Sequence, residues 1–378
     1  MRVYFDNAAT TPMDKEVIET ITSFMQEHFG NPSSTHGFGR DAKVPLERAR
    51  KQIAQYFQVS PFEIYFTSGG TEADNIAIHG AVKNLGVKTI ITSPLEHHAV
   101  LHTVEQMQKQ YDVQLKYVDN DAQGNLDYAQ LEKYLTESKD VLVCLMHGNN
   151  EIGNLNDIEK IGQLCEQYGA YFHTDAVQTV GHFPLNLQKV KAHFMAGAAH
   201  KFHGPKGAGF LFVRKDVKIE ALIHGGGQER SMRSGTENVP GIIGMAKALE
   251  IAHTHMDADQ AHIQALKQHM VKHLTEVLPE VAFNGLSASA EDSLYTVLNV
   301  RLPKTAAADM LLFNLDLEGV AASGGSACSS GASVGSHVIQ HLGVPEGSTS
   351  VRFSFSKFNT LEEVDYAVEV LKKILGST

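Results

Sequence analysis

The segment at residues 196–209 contains the residue whose type and setting best suit covalent chemistry. Lys201 stands there between two histidines, in the sequence AGAAHKFHGPKGAG. The small and apolar residues before it would remove water from its ammonium group. Desolvation favours the neutral amine, which is the form that attacks an aldehyde. A basic, glycine-rich surface turn between two strands is the alternative interpretation, and the other motifs of the chain decide between the two.

A glycine-rich turn at residues 68–71 is suited to binding an anion. The sequence SGGTEADN follows a predicted buried strand at 64–67 and opens a helix. Backbone N–H groups can approach a phosphate closely at Gly70, the helix dipole favours negative charge there, and Thr71 adds a hydroxyl. The same letters also fit an ordinary capping box, so this motif alone does not decide the function.

Two further side chains complete a set that is typical of one cofactor. Asp175 ends a strand in HTDAVQ, where a buried carboxylate needs a positive partner. His97, in LEHHAV, offers a flat ring. Pyridoxal phosphate uses a lysine for its aldehyde, a carboxylate for its ring nitrogen, a flat side chain over its ring and a helix N-terminus for its phosphate. Each residue alone would more often be structural, but together with Lys201 they indicate pyridoxal 5'-phosphate.

The order of the predicted elements indicates how these side chains are positioned. From residue 64 to residue 213, apolar strands alternate with helices, which predicts an α/β fold with a mainly parallel sheet covered on both faces. Ligands of such sheets bind at the carboxyl ends of the strands. The candidate residues fall at such ends: His97, Asn150, Asp175, Gln178 and Lys201.

The pattern of predicted helices and strands changes in the last third of the chain, which indicates a second domain. A long helix is predicted at 240–277, and shorter strands and helices follow it. We therefore predict a large domain at 13–250 that binds the cofactor. A smaller α+β domain would comprise residues 1–12 plus 251–378.

The composition excludes several classes of protein. The 378 residues include 43 acidic and 32 basic side chains, for a net charge of −11, and no basic cluster offers a stripe for nucleic acid. The three cysteines form no CxxC metal or redox motif, and their number argues against a disulfide framework. The chain shows no signal peptide and no apolar run of membrane-spanning length. These features predict a cytoplasmic protein without membrane or direct nucleic-acid partners.

The motifs, taken together and in order, resemble those of the cysteine desulfurases of the NifS/IscS group. They are DNAATTP, SGGTEADN, LEHHAV, HGNNEIG, HTDAVQ, HKFHGPKG, MRSGTEN, SGGSACSSG and VRFSF, and the match runs nearly end to end. The resemblance implies a homodimer of the PLP-dependent transferase fold type I. It also implies conversion of L-cysteine to L-alanine, with the sulfur passed on to a protein acceptor for iron–sulfur cluster assembly or tRNA thiolation.

The resemblance also implies roles for individual residues. Lys201 would bind the cofactor covalently, His97 would stack on its ring and act in catalysis, and Asp175 would pair with the pyridine nitrogen. The remaining cofactor contacts would come from Gly70, Thr71, Gln178, His200 and, from the partner subunit, Thr236. The substrate would be held by Asn150, Arg352 and Asn31. One departure from the family is Ala198, which stands where a serine commonly binds the phosphate and so removes one hydrogen bond.

Cys328 is the residue that the resemblance implies as the sulfur carrier, through a persulfide. It lies at 322–335 in ASGGSACSSGASVG, which is too rich in glycine and serine for a packed helix or strand. A thiol that attacks the sulfur of a substrate and then delivers it elsewhere must be activated as a thiolate and must lie on a segment that can move. Cys144, in apolar VLVCLM, is predicted to lie in the core, and Cys165 to be structural.

Two alternatives to a cysteine desulfurase stay open at this level. The first is another PLP enzyme, such as a selenocysteine lyase or an aminotransferase. The second is a non-catalytic sulfur-relay or scaffold subunit, against which the intact set of Lys201, Asp175 and His97 argues.

Overall fold

The predicted alternation of strands and helices is present in the computed structural model, which describes residues 1–303, 310–324, 336–345 and 348–376. Cys328 lies outside the described residues. The elements, in chain order, are β1 (Val3–Tyr4), α1 (Lys15–Glu27), α2 (Gly37–Tyr56), β2 (Ile64–Thr67), α3 (Gly70–Asn84), β3 (Thr89–Thr92), α4 (His98–Gln110), β4 (Gln114–Tyr117), α5 (Tyr128–Glu137), β5 (Val141–Cys144), α6 (Ile158–Tyr168), β6 (Tyr171–Asp175), α7 (Leu187–Val190), β7 (Phe194–Ala198), β8 (Gly209–Val213), α8 (Val239–Val277), β9 (Ala282–Phe283), β10 (Val297–Leu302), α9 (Leu311–Leu317), β11 (Val320–Ala321), α10 (His337–His341), β12 (Thr349–Ser354) and α11 (Leu361–Gly376).

The central sheet has the mainly parallel topology that the sequence predicts. Within residues 1–303, seven strands form it in the order β2-β8-β7-β6-β5-β3-β4. The run from β7 to β4 is parallel, and β8 is antiparallel to both of its neighbours. Strands β3, β5, β7 and β8 are buried at every position, because helices cover both faces of the sheet. The carboxyl ends of the parallel strands therefore meet at one edge.

Local sequence signals explain where several helices begin and end. The carboxylates of Asp14, Asp127 and Asp157 accept backbone N–H bonds in the first turns of α1, α5 and α6. Helix α6 ends at Gly169, whose φ of 66° lies in the left-handed region that glycine adopts without strain. These side chains and this glycine thus define the starts of α1, α5 and α6 and the end of α6.

Helix α8 passes from one hydrophobic core into another. Its first part, with Ile242 and Leu249, packs with α1, α2 and one face of the large sheet. Its later part, with Leu266 and Met270, packs with α11 and with the antiparallel sheet of β12, β10 and β9. Strand β1 pairs with β11, so the N-terminus joins this second core. The domain division at residue 250, which falls inside α8, stays a prediction.

In the described part of the chain, no helix combines the length and the hydrophobicity that crossing a bilayer needs.

A buried ion pair attaches the segment after β8 to α2. Two guanidinium nitrogens of Arg50 donate to the two carboxylate oxygens of Glu229, each at 2.7 Å. The two side chains are only 3% and 2% exposed. Glu229 also accepts the backbone N–H of Phe66 at 2.8 Å, while its own φ of 45° is left-handed. The ion pair therefore holds a strained backbone in place.

We expect Arg50→Met to lower the free energy of unfolding by about 3–5 kcal/mol, because it leaves the Glu229 carboxylate buried without its partner. Urea unfolding of the wild type and the variant measures the loss. The matched control is Lys15→Met, which removes the exposed pair of Lys15 with Glu19, separated by 3.8 Å. That change should cost less than about 1 kcal/mol. Equal losses in the two variants would contradict the role given to Arg50.

Candidate active site

A cavity of about 210 Å³ lies at the carboxyl edge of the large sheet. Strand ends, the N-terminus of α3, the loop after β1 and the buried strand β12 all contribute to its wall. The structure thereby brings together residues that are far apart in the chain. The predicted site residues on its wall are Gly70, Thr71, His97, Asn150, Asp175, Gln178, His200, Lys201 and Arg352.

Lys201 projects into this cavity from the turn that follows β7. Its Nζ donates to the backbone carbonyl oxygen of Ala9 at 2.9 Å and to that of Ala8. Hydrogen bonds also position the main chain at this lysine. The ring of His182 bonds to the carbonyl oxygen of Lys201 at 3.0 Å, and the carbonyl oxygen of His200 accepts the N–H of Thr11 at 2.9 Å. The amine is therefore positioned by the loop of small residues near the N-terminus.

His97 is the N-cap of α4, and this contact determines its protonation. Its Nδ1 accepts the backbone N–H of Ala99 at 3.1 Å. A nitrogen that accepts a hydrogen bond carries no proton, so the neutral ring bears its proton on Nε2. Burial also lowers the pKa of His97, and the positive charge of Lys201 adds to this, although Asp175 opposes it. The ring is thus a neutral, flat group with a fixed orientation.

Asp175 is a buried carboxylate at the end of β6. One of its oxygens accepts the backbone N–H of Val177 at 2.9 Å. Burial, together with the nearby carboxyl of Asp74, raises its pKa to about 6. A cationic group in the cavity would relieve both effects, since it would compensate for the missing water and for the second carboxyl. The site therefore suits a ligand with a protonated ring nitrogen.

The N-terminus of α3 forms another part of the cavity wall. Its N-cap, Gly69, supplies no capping side chain. A Cβ at Gly70 would lie 2.5 Å from Cγ2 of Val177, so only glycine lets the helix start this close to the loop after β6. Thr71 also lines the cavity, and the cap leaves room for an anion at the positive end of the helix. Ala198 also lines this region and has no side chain that could bond to such an anion.

Gln178 and His200 are both bonded to the N-terminal loop. The amide of Gln178 donates to the carbonyl oxygen of Ala8 at 3.0 Å, and Nδ1 of His200 lies 3.2 Å from the hydroxyl of Thr10. Burial, together with the charge of Lys201, lowers the pKa of His200 to about 4. At neutral pH His200 is therefore an uncharged hydrogen-bonding group rather than a cation.

Arg352 brings a buried cation into the cavity from β12. The side chain is 1% exposed, and its two terminal nitrogens donate to the carbonyl oxygen of Asn150 at 2.9 Å and to the carboxylate of Asp6 at 2.8 Å. Its Nε is buried without a hydrogen-bond partner. An anionic ligand group beside Arg352 and Asn150 would therefore meet a fixed positive charge.

Two buried carboxyl groups, those of Asp74 and Glu96, were not among the predicted site residues. Asp74 lies one helical turn after Gly70 and lines the cavity, and its carboxylate is 3.1 Å from Nε2 of buried His173. Glu96 accepts the backbone N–H of Met146 at 2.7 Å. Burial raises the pKa of both carboxyls well above the usual range. The sequence signal that could have found Asp74 is its spacing of four residues from Gly70, which places both residues on the same face of α3.

Two predicted residues, Asn31 and Thr236, do not line this cavity. Asn31 is exposed in the loop between α1 and α2, where its side chain accepts the N–H of Ser33 at 2.9 Å. Thr236 is exposed and lines a different cavity, of about 120 Å³, beside Arg233. Cys328 lies outside the described residues.

This arrangement is that of a known class of protein. The family described as "Aminotransferase class-V" matches residues 3–367, and the chain belongs to it. A relative named cysteine desulfurase IscS, from Dictyoglomus turgidum, is 42% identical over 99% of this chain and 94% of its own length.

Solved structures agree with this relationship. One titled "NIFS-LIKE PROTEIN" has a TM-score of 0.91 and 37% identity, with 100% of both chains covered. Another, titled "SspA in complex with cysteine", has a TM-score of 0.80 and 31% identity over 94% of this chain and 99% of the other. The comparisons confirm the NifS/IscS family and the fold type I that the motifs indicated.

We expect Asp175→Asn to stabilise the protein when no cofactor is bound. The pKa of Asp175 is 3.8 without perturbation and about 6 when folded, so the folded state binds the proton more tightly. Stability is therefore lost as the pH rises from 4 to 6. The variant should gain about 3 kcal/mol at pH 7.5 and about half of that at pH 5. Urea unfolding at both values measures the gain.

The control is Asp257→Asn, which removes an exposed carboxylate on α8. It should leave the stability nearly unchanged at both pH values. If the cofactor-free Asp175→Asn protein is no more stable than the wild type at pH 7.5, the ionised carboxyl of Asp175 does not destabilise the folded protein.

Proposed function

We propose that this chain is a cysteine desulfurase that uses pyridoxal phosphate to remove the sulfur of L-cysteine. The observation that carries the proposal is the single cavity in which Lys201, Asp175, His97 and the N-terminus of α3 meet. The family membership and the relatives named cysteine desulfurase support it. The neighbour that is titled as a complex with cysteine supports L-cysteine as the substrate.

The residues of the cavity fit the parts of this cofactor one by one. Lys201 would attach it covalently, Asp175 would pair with its ring nitrogen, and the flat ring of His97 would cover its face. Its phosphate would bind at the start of α3, with the hydroxyl of Thr71 and with His200 beside it. The bound cofactor supplies an acceptor for negative charge that develops on the substrate carbons.

We also propose how the chain holds and processes the substrate. Arg352 and Asn150 would bind its carboxylate, since Arg352 is the buried cation of the cavity wall. Lys201 would move the proton at the substrate α-carbon. The Nε2 of His97 would donate or accept a proton near the substrate thiol. Asn31 would join the substrate only if its loop were rearranged, because it is exposed and bonded to its own loop.

Cys328 is proposed as the acceptor of the sulfur. In the overall reaction, the carbon–sulfur bond of L-cysteine breaks, a sulfur–sulfur bond forms on Cys328, and the carbon skeleton leaves as L-alanine. The atoms and electrons balance without another oxidant or reductant. The two other thiols are poor candidates because Cys144 and Cys165 are buried and burial raises the pKa of each.

A homodimer is the proposed assembly. Thr236 would reach the phosphate of the partner's site, which agrees with its exposure away from the cavity of its own chain. Large apolar side chains are also exposed on α1, α2 and the loop between them, and such a patch is typical of an interface. They are Ile18, Met25, Phe29, Phe38 and Val44. A protein sulfur acceptor and a cytoplasmic location complete the proposal.

The first test is of the covalent site. Reduction of the holoenzyme with borohydride followed by peptide mapping should place the cofactor on Lys201. Lys201→Ala should lose this label and at least 99% of the turnover, because among the described residues no other lysine lines the cavity. The control is Lys206→Ala, which removes an exposed lysine of the same segment and should retain both. A label at the same yield on another lysine of Lys201→Ala would overturn the assignment.

The second test is of the sulfur carrier. Mass spectrometry after mixing the holoenzyme with L-cysteine should find the extra sulfur on the peptide that contains Cys328. Cys328→Ala should bind the cofactor as the wild type does but release no sulfide under reductant. Cys165→Ala should keep most of the activity, apart from a loss of stability at its buried site. Formation of pyruvate instead of alanine, or full activity of Cys328→Ala, would favour another PLP-dependent reaction.

A further inference from the structure

Two pairs of polar side chains face each other between α8 and α11, and none of them lines the active-site cavity. His269 and His273 are one turn apart on α8, and Asp365 and Glu369 are one turn apart on α11. Residues four apart lie on the same face of a helix, so each pair points at the other across the packed helices.

The imidazoles converge on one carboxylate oxygen. Nε2 of His269 lies 2.7 Å from Oδ1 of Asp365, and Nδ1 of His273 lies 3.1 Å from the same atom. Nε2 of His273 is 3.8 Å from Oε1 of Glu369. One ligand atom from each of His269, His273 and Asp365 lies within 4.8 Å of the others. The ligand atoms of a tetrahedral zinc ion lie roughly 3.4 Å apart, so small side-chain rotations would complete such a site.

The surroundings allow an ion to enter and to be held. The side chain of Asp365 is 50% exposed, whereas those of His269 and His273 are 36% and 23% exposed. The two histidines lower the pKa of the Asp365 carboxyl, with His269 contributing most. Lys372 competes for Glu369, since their charged atoms are 3.9 Å apart. Asp365 is therefore the principal carboxylate, and Glu369 is an additional one.

We propose that His269, His273 and Asp365 bind a divalent transition-metal ion of the Zn²⁺ class, with Glu369 and water completing the shell. Imidazole and carboxylate ligands at this spacing are typical of zinc. The ion would join the C-terminal half of α8 to α11 and so stabilise the second core, since binding to the folded state alone adds to its stability. This site does not depend on the proposed desulfurase reaction.

The test is titration of the holoenzyme with ZnCl₂ by calorimetry. Cys328→Ala serves as the background in every protein, so that this thiol cannot bind the metal. On this background, His269→Gln and Asp365→Asn each remove one ligand of the site. The matched control is His255→Gln, which replaces an exposed histidine of the same helix outside the cluster.

We expect the Cys328→Ala background protein and its His255→Gln variant to bind one zinc ion with micromolar affinity. The His269→Gln and Asp365→Asn variants should lack this ion or bind it at least tenfold more weakly. Zinc should also raise the melting temperature of only the background protein and its His255→Gln variant. Equal stoichiometry and affinity in all four proteins, or no binding in any, would show that the cluster is a set of ion pairs without a metal.

Discussion

The attachment of the N-terminal loop to both hydrophobic cores is the constraint on which the active site depends. On one side, the carbonyl oxygens of Ala8 and Ala9 accept hydrogen bonds from Lys201. On the other side, Asp6 pairs with Arg352, and the N–H of Ala8 donates to the hydroxyl of Ser354 at 2.8 Å. The loop thus fixes the distance between the lysine of the large sheet and the arginine of the small one. A ligand that needs both meets them already in place.

Burial of ionisable groups is the second feature of the site. Asp74, Glu96 and Asp175 all lie behind or beside the cavity, where burial raises the pKa of each carboxyl. Such an arrangement lowers the stability of the protein without its ligand. It also makes the site selective for a cationic ligand, because a cationic ring placed against Asp175 stabilises the buried carboxylate more than it would stabilise a carboxylate at the surface. The burial of Asp175 therefore favours binding of a cationic ligand but lowers the stability of the ligand-free protein.

The two cores have different parts in the proposed reaction. The large sheet supplies Asp175 from the end of β6, His97 from the loop after β3 and Lys201 from the turn after β7. Arg352 comes from β12 of the second core, and the proposed sulfur carrier, Cys328, follows β11 in the chain. The long helix α8 packs into both cores. An ion bound between α8 and α11 would therefore act on the element that connects the two halves of the site.

The sequence by itself determined the elements and the kind of chemistry. Apolar runs between residues 64 and 213, such as VLVC, predicted buried strands, and the setting of Lys201 indicated a covalent site, because hydrophobic periodicity and local motifs are properties of neighbouring residues. Only the tertiary structure decided that Ala8 binds Lys201, that Asp74 raises the pKa of Asp175, and that Asn31 is exposed. These outcomes depend on the packing of elements far apart in the chain, and local periodicity does not specify that packing.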